Sequence, residues 1–486
     1  MFFMIQRHVI LASVFTLLVS ASTSCQKKGT GGSGGSIPPP VVTTVGPSVD
    51  MWLTRADRSA LLEKQGTNIV FRSVTGSGPV IDVDSTQEFQ TVDGFGYTLT
   101  SGSADLIRGL NGSARNALLR ELFSTDANAI GVSYLRISIG ASDLSSSVYS
   151  YDDMPAGQTD PTLQHFSLGP DSAVLVPLLQ EIISIQPGIR ILASPWSAPA
   201  WMKDNGSSVG GSLLPQNYDA YARYFVRYLQ AMAARGIRVD AVTVQNEPLH
   251  GGNNPSMVMQ AAQQATFIRD HLGPALRGAS LNTKIITWDH NCDRPDYPIA
   301  VMSDATARAY IDGSAFHLYG GDISALSQVH NAFPDKNVYF TEQYTASTGN
   351  FAGDLRWHVR NVVIGSMRNW SRNALEWNLA NDPSFGPHTP GGCNTCQGAL
   401  TIASGYTRNV SYYIIGHASK FVPAGSVRIA SSNSGALYTA AFRRPDGRKV
   451  LIAVNDGSGP QDFTIGYKGL YAAATLDAGA VGTFVW

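Results

Sequence analysis

Two glutamates stand where a short apolar run gives way to polar residues: Gln245-Asn246-Glu247-Pro248 and Phe340-Thr341-Glu342-Gln343. Two carboxyls at one site are what glycoside hydrolysis needs: one protonates the leaving oxygen and the other attacks the anomeric carbon. A lone Glu at a loop edge is usually a solvated surface residue, so the pairing carries the argument. Other run ends hold suitable partners. Ala193-Ser194-Pro195-Trp196-Ser197-Ala198-Pro199-Ala200-Trp201 offers two indoles in a Pro-braced loop, suited to stacking on a sugar face. Ser142-Asp143, Asp289-His290-Asn291, His317-Leu318-Tyr319 and Glu376-Trp377-Asn378 offer groups that hydrogen-bond hydroxyls or exclude water. Each of these alone could be packed or capped structure. Asp289, His290, Asp293 and His317 raise a metal reading, but no HExxH or comparable spacing appears and no metal is expected.

These residues need a scaffold that gathers run ends. Eight short apolar runs alternate with helical stretches: Thr91–Leu99, Ser133–Ile139, Arg190–Ser194, Ala241–Gln245, Lys284–Trp288, Gly313–His317, Asn337–Thr341 and Ala374–Asn378. Tyr218, Tyr221, Phe225, Tyr228 and Met232 fall on one helical face, more simply a packing stripe than a sugar platform, and Gly236 ends that helix. The alternation matches an α/β fold of the (β/α)8 TIM-barrel type, whose active sites lie at the C-terminal strand ends. A doubly wound open sheet is the alternative. No Gly-rich phosphate loop follows a candidate strand, which argues against a nucleotide fold.

After the barrel pattern come Val427–Ala430, Leu437–Arg443, Lys449–Asn455, Gln461–Ile465 and Val481–Trp486, short strands of an attached β-sandwich side domain. Partner strands are expected before the barrel. The expected boundaries are 49–90 for these N-terminal strands, 91–415 for the barrel and 416–486 for the C-terminal sandwich. Residues 26–48, rich in Gly, Ser, Thr and Pro, read as a flexible tether. Residues 1–25 read as an export signal: Arg7 and His8, the apolar run Val9–Val19, then small residues and Cys25. A Cys at that place resembles a bacterial lipoprotein signal, with Ser22 a departure; ordinary secretion is the alternative. The expected location is exported, with a lipid anchor at Cys25 the one membrane contact. Of the other cysteines, Cys393 and Cys396 lack a second pair for zinc, and export permits a small loop-bracing disulfide.

Composition narrows the partners. The chain has 486 residues and net charge −1, with 35 Lys and Arg against 36 Asp and Glu, so nothing points to nucleic acid. Charged residues are 15%, below the usual ~25%, while 8 Trp, 19 Tyr and 19 Phe suit neutral, ring-shaped ligands as well as cores.

At these residues the chain resembles glycoside hydrolase family 30, which includes glucosylceramidases, endo-β-1,6-glucanases and xylan-active enzymes. The likeness runs from about Trp52 to the C-terminus. It is carried by Asp93-Gly94-Phe95-Gly96, Leu135-Arg136-Ile137-Ser138-Ile139-Gly140, Ser142-Asp143-Leu144-Ser145, the Ser194-to-Lys203 segment, Gln245-Asn246-Glu247-Pro248, Thr341-Glu342, Trp377-Asn378-Leu379 and Ile415-Gly416-His417-Ala418-Ser419-Lys420-Phe421. The resemblance implies a barrel with a β-sandwich, a retaining mechanism and no cofactor. It implies Glu247 as acid/base, Glu342 as nucleophile, and Asn246 on the 2-hydroxyl. Asp143, Trp196 and Trp377 would hold the innermost sugar, and Arg136 and Tyr319 would lie near the nucleophile. His290 falls in a segment of the bacterial and fungal form, and Leu318 departs from the aromatic of several relatives. The two carboxyls are then expected ~5–5.5 Å apart, with Glu247 kept protonated by the charge of Glu342. The expected substrate is β-glucan, with β-1,6 linkage favoured. Glucosylceramide, xylan, and a non-catalytic glycan-binding lipoprotein are the alternatives.

Overall fold

The computed structural model describes residues 45–66 and 68–486. The expected signal and most of the tether lie outside the described residues. The first strand, Val45–Thr54, begins inside the span expected as tether, so residues 45–48 are strand. Gly46-Pro47-Ser48 has linker composition, but Val49, Met51 and Leu53 alternate into a core, and Val45 and Ser48 pair with Arg72 and Val70.

Eight parallel strands close a barrel in chain order: Gly94–Thr98, Tyr134–Ser138, Arg190–Ser194, Ala241–Thr243, Lys284–Cys292, Ile311–Gly321, Asn337–Glu342 and Ser371–Asn378. Every expected run is one of them. Thr91, expected in the first, ends a strand of the side domain instead, where it pairs with Val427. Period-two alternation fills the interior in layers. Tyr134, Leu192, Ala241, Ile286, Ala315, Tyr339 and Leu375 form an apolar plug. Two residues further along their strands, Arg136, Ser194, Thr243, His317, Thr341 and Trp377 form a mostly polar layer under the mouth. The Tyr218–Ala233 helix turns its aromatic stripe inward, and Tyr218, Tyr221, Phe225, Tyr228 and Met232 are all buried.

The β-sandwich joins four N-terminal strands (Val45–Thr54, Glu63–Lys64, Ile69–Arg72, Val80–Thr91) to six from the C-terminal segment. Its hydrogen-bonded ladder returns on itself where Val45–Thr54 meets Ile69–Arg72. Ile81, Val83, Ile429, Phe463, Ile465 and Phe484 are among its buried core. One strand, Leu470–Leu476, was not expected, because its Ala-rich stretch has low strand propensity. A two-residue turn recruits it: Lys468 and Gly469 both have positive φ, and Tyr467 pairs with Leu470 across them. Among the described residues no helix is long and apolar enough to cross a membrane.

The expected domain boundary at 415/416 falls inside a buried helix, Val410–Ser419, packed between the first barrel strand and the last sandwich strand. His417 fixes this seam. Its Nδ1 lies 2.9 Å from Thr483 Oγ1, and its Nε2 lies 2.8 Å from Thr54 Oγ1. Thr483 Oγ1 donates its proton to His417 O, so it accepts from Nδ1–H; Thr54 Oγ1 accepts from Leu62 N and keeps its own proton to offer Nε2. Burial favours the neutral imidazole and pushes its pKa down to about 3 from 6.5. The unfolded chain then binds the extra proton between those values, so this contribution to stability is full above pH 6.5 and is lost as pH falls toward 3. Melting temperature should fall over that window, with a shallower slope in His417→Asn. An identical slope in the variant would contradict the assignment.

Candidate active site

The polar layer is built around one buried cation. Arg136, on the second strand, is fully buried, so its charge needs partners on every side. One terminal nitrogen donates to Glu342 Oε2 at 2.6 Å. The other donates to Asn246 Oδ1 at 2.6 Å and to Asp289 Oδ2 at 2.8 Å. The guanidinium plane lies over the Trp196 ring, 4.8 Å from its centre, with Trp377 at 5.7 Å. A planar fork can join an acid, an amide and an indole face at once; an ammonium cannot.

Asp289 is the hub beneath. Oδ2 accepts from Arg136, from Ser194 Oγ at 2.9 Å and from Thr243 Oγ1 at 2.8 Å. Oδ1 accepts from Thr341 Oγ1 at 2.6 Å and lies 3.1 Å from His317 Nε2. Burial raises its pKa, but Arg136, His317 and Thr341 outweigh this and hold the carboxyl well below the usual carboxylate range. Simple alternation would turn Trp288 into the barrel and Asp289 out. A β-bulge reverses this: the register against the sixth strand shifts between Ala315 and Phe316, and Trp288 and Asp289 both take positive φ.

Glu247 is aimed by its backbone. It has φ 46°, a left-handed conformation costing a non-glycine residue about 1–3 kcal/mol. The turn is held by Glu247 N donating to Asp289 O at 3.0 Å, Asn246 N to Pro195 O at 2.8 Å and His250 N to Glu247 O at 2.8 Å. The side chain meets His317 Nδ1 at 3.2 Å and His290 Nδ1 at 3.5 Å. Glu342 Oε1, besides accepting from Tyr319 O–H at 3.0 Å, lies 3.6 Å from the same His317 Nδ1. The two Oε1 atoms thus share one neighbour and are at most about 6.8 Å apart.

Electrostatics link these groups. Burial opposes a charge on His317, but Glu342, Asp289 and Glu247 push its pKa up to about 9. Burial also opposes ionisation of Glu247, yet the contacts to His290 and His317 hold it below the usual range. Burial pushes Glu342 up, against the pull of His317 and Arg136. The expected effect of Glu342 on Glu247 is thus opposed by the two imidazoles, whose contacts favour the Glu247 carboxylate while the carboxylates favour a charged His317. Burial raises Asp143 to about 7, with Glu342 and Glu247 adding to the effect.

A cavity of about 260 Å³ opens above the pair, lined by Asp143, Trp196, Asn246, Glu247, His290, Tyr319, Glu342 and Trp377. Arg136 lies directly beneath. The fold therefore gathers the residues that the resemblance assigned to the site, but not every run-end candidate: Trp201, expected beside Trp196 as a stacking indole, instead donates its Nε1–H to Asp152 O at 2.9 Å, and Glu376 is buried against His358 Nδ1 at 2.8 Å. It gives Asp289 and His317, which had entered as hydroxyl-binding or metal candidates, the part of a hub beneath the pair, and it adds Tyr344, whose ring is 5.4 Å from that of Tyr319. Cys393 and Cys396 form a disulfide at the cavity wall. Larger clefts of about 620 and 760 Å³ lie near Trp52 and Lys420 at the domain seam; the carboxyls that line them are Glu121, paired with Arg408, and Asp126, which accepts from Ser124 Oγ. Glu247, His290 and His317 place ligand-type atoms within 4.8 Å of one another. Both nitrogens of His317 face carboxylates, Nδ1 toward Glu247 and Nε2 toward Asp289.

The family description "Glycosyl hydrolase family 30 TIM-barrel domain" matches residues 92–422, and "Glycosyl hydrolase family 30 beta sandwich domain" matches 425–484. The endo-1,6-beta-D-glucanase neg1 of Aspergillus fumigatus is 36% identical over 403 residues, 77% of this chain and 80% of that protein. The lysosomal acid glucosylceramidase of Mus musculus is 31% identical over 440 residues, 85% of this chain and 84% of that protein. Among solved structures, the endo-beta1,6-glucanase BT3312 superposes with TM-score 0.84 at 33% identity, covering 90% of this chain and 99% of that one.

Proposed function

The chain belongs to glycoside hydrolase family 30, and from that premise we propose that it cleaves β-1,6-linked glucan with retention of configuration. It is a glycoside hydrolase acting on β-glucosidic linkages; the linkage and the mechanism are the proposal. The observation that carries it is the shared contact of Glu247 and Glu342 with His317 at the floor of one sugar-sized cavity.

In this reading Glu342 attacks the anomeric carbon. Arg136 and Tyr319 each donate to one of its oxygens, which favours the carboxylate once a sugar covers the site. Glu247 has no guanidinium contact. Loss of water over it raises its proton affinity, and the proton passes from His317 Nδ1 to Glu247 and then to the leaving oxygen. A glycosyl ester on Glu342 forms as the leaving group departs. Glu247, now a base, takes a proton from water, which attacks the same carbon and frees Glu342. Asn246, fixed by Arg136, faces the 2-hydroxyl, and Trp196 and Trp377, with ring centres 5.4 Å apart, stack on the sugar.

The preference for β-1,6-glucan is supported by relatives of that named activity at 36% and 37% identity. Glucosylceramide is the second reading, favoured by the 31% identical lysosomal relative. For location we propose an exported protein, lipid-anchored at Cys25, on the strength of the residues 1–25 pattern alone. Incubation with pustulan, glucosylceramide, xylan and aryl β-glucosides tests the function. Gluco-oligosaccharides released from pustulan, with the β-anomer formed first, are expected. Release from glucosylceramide or xylan but not pustulan would overturn the linkage assignment.

A further inference from the structure

Residues 386–397 form a strap across the barrel mouth. It is tied to the loop after the second strand, where Thr389 N donates to Asp143 O at 2.9 Å. It is tied to the loop after the fourth, where Asn254 Nδ2 donates to Pro390 O at 3.3 Å and Thr389 Oγ1 to Asn254 O at 2.5 Å. It is tied to the loop after the seventh, where Ser347 N donates to Thr395 O at 2.8 Å and Ala346 pairs with Cys396. The approach is close: a Cβ on Gly392 would sit 2.3 Å from Asp143 O. The strap ends in the Cys393–Cys396 disulfide, which spans a separation of three residues. Cys396 is buried against Leu144, Trp196 and Trp377, Cys393 lines the cavity, and the backbone N–H of Cys393 lies near enough to the buried Asp143 carboxyl to favour its charged form.

We propose that this disulfide is a positioning element of the sugar pocket, holding Asp143, Trp196 and Trp377 in the arrangement that grips the glycosyl unit. The inference rests on the reading of this cavity as a glycoside site and adds a part to it. The strap is rich in Pro and Gly (Pro387, Pro390, Gly391, Gly392), and the turn after Gly392 has no helix or long strand to hold it. Opening the crosslink frees that turn. The Cys393 N–H then drifts from Asp143, and the Cys396 side chain no longer fills the space beside the two indoles. Both losses act on sugar binding, and the two catalytic carboxyls keep their own partners on Arg136, Tyr319 and His317.

The test is the C393S/C396S variant of the full chain, assayed on an aryl β-glucoside beside the wild type, with thermal melting of both. A fall of about 10- to 100-fold in kcat/KM is expected, as for displaced substrate-positioning groups. It should appear chiefly as a higher KM, with kcat changed less. A KM within twofold of wild type would overturn the proposal. If the variant melts early, the folded wild type treated with dithiothreitol decides instead. The dithiol gives two electrons and two protons to the two sulfurs and leaves as its own cyclic disulfide. The same KM rise, reversed on reoxidation with oxidised glutathione, is expected; an unchanged KM with both thiols titrated overturns the proposal. A wild-type chain inactive on every aryl β-glycoside would instead overturn the glycoside reading, and this inference with it.

Discussion

Replacing Glu342 by Gln should lower kcat on aryl β-glucosides by on the order of 10⁴-fold or more. The amide matches the carboxyl in size but lacks the lone-pair charge that must bond to carbon. Arg136, which donates to Glu342 Oε2, keeps Asp289 and Asn246 as partners, so the buried cation is not orphaned. The variant should therefore fold, melt somewhat lower than wild type, and still bind sugar. This combination separates a chemical role from a structural one. Steady-state kinetics with a melting curve would check it, and activity within tenfold of wild type would refute the role of Glu342.

Replacing Glu247 by Gln should cost about 10²- to 10⁴-fold, and the size should depend on the leaving group. A poor leaving group needs the proton, so pustulan hydrolysis should fall most. A dinitrophenyl glucoside needs little help to leave, so its first step should survive while the glycosyl ester accumulates for want of a base. Added azide, which needs no base, should restore turnover and give the β-glucosyl azide. Equal losses on both substrates with no azide effect would contradict the acid/base assignment. The hydrogen bond from His317 also predicts that His317→Ala weakens the acid step on pustulan more than the reaction of the dinitrophenyl glucoside.

The sequence revealed the barrel because its strands are short apolar runs with polar ends, and closure in chain order then brings those ends together. The side domain was legible where strands are β-branched or aromatic. It failed at Leu470–Leu476, where the turn at Lys468-Gly469 rather than strand propensity makes the pairing. The chemistry-bearing residues at the mouth were visible because their types alone suggest sugar contact. Asp289 and His317 were not read as the hub, since alternation points Asp289 outward and only the bulge at Trp288 turns it in. The pull of His317 on the Glu247 carboxyl was also hidden. It depends on His317 standing between Asp289 and Glu247, a relation among three strands that no spacing in one chain displays. The left-handed backbone at Glu247 likewise comes from Asp289 O and Pro195 O holding the turn, not from any local preference of Asn-Glu-Pro.

The account stands on covalent bonding of sugar to one named side chain. Mass spectrometry of peptides from the wild-type enzyme, inactivated with 2-deoxy-2-fluoro-β-glucosyl fluoride, measures this directly. A fluoroglucosyl adduct on Glu342, slowly lost in buffer, is the expected result. An adduct on any other residue, or turnover with no adduct and an α-configured first product, would contradict it.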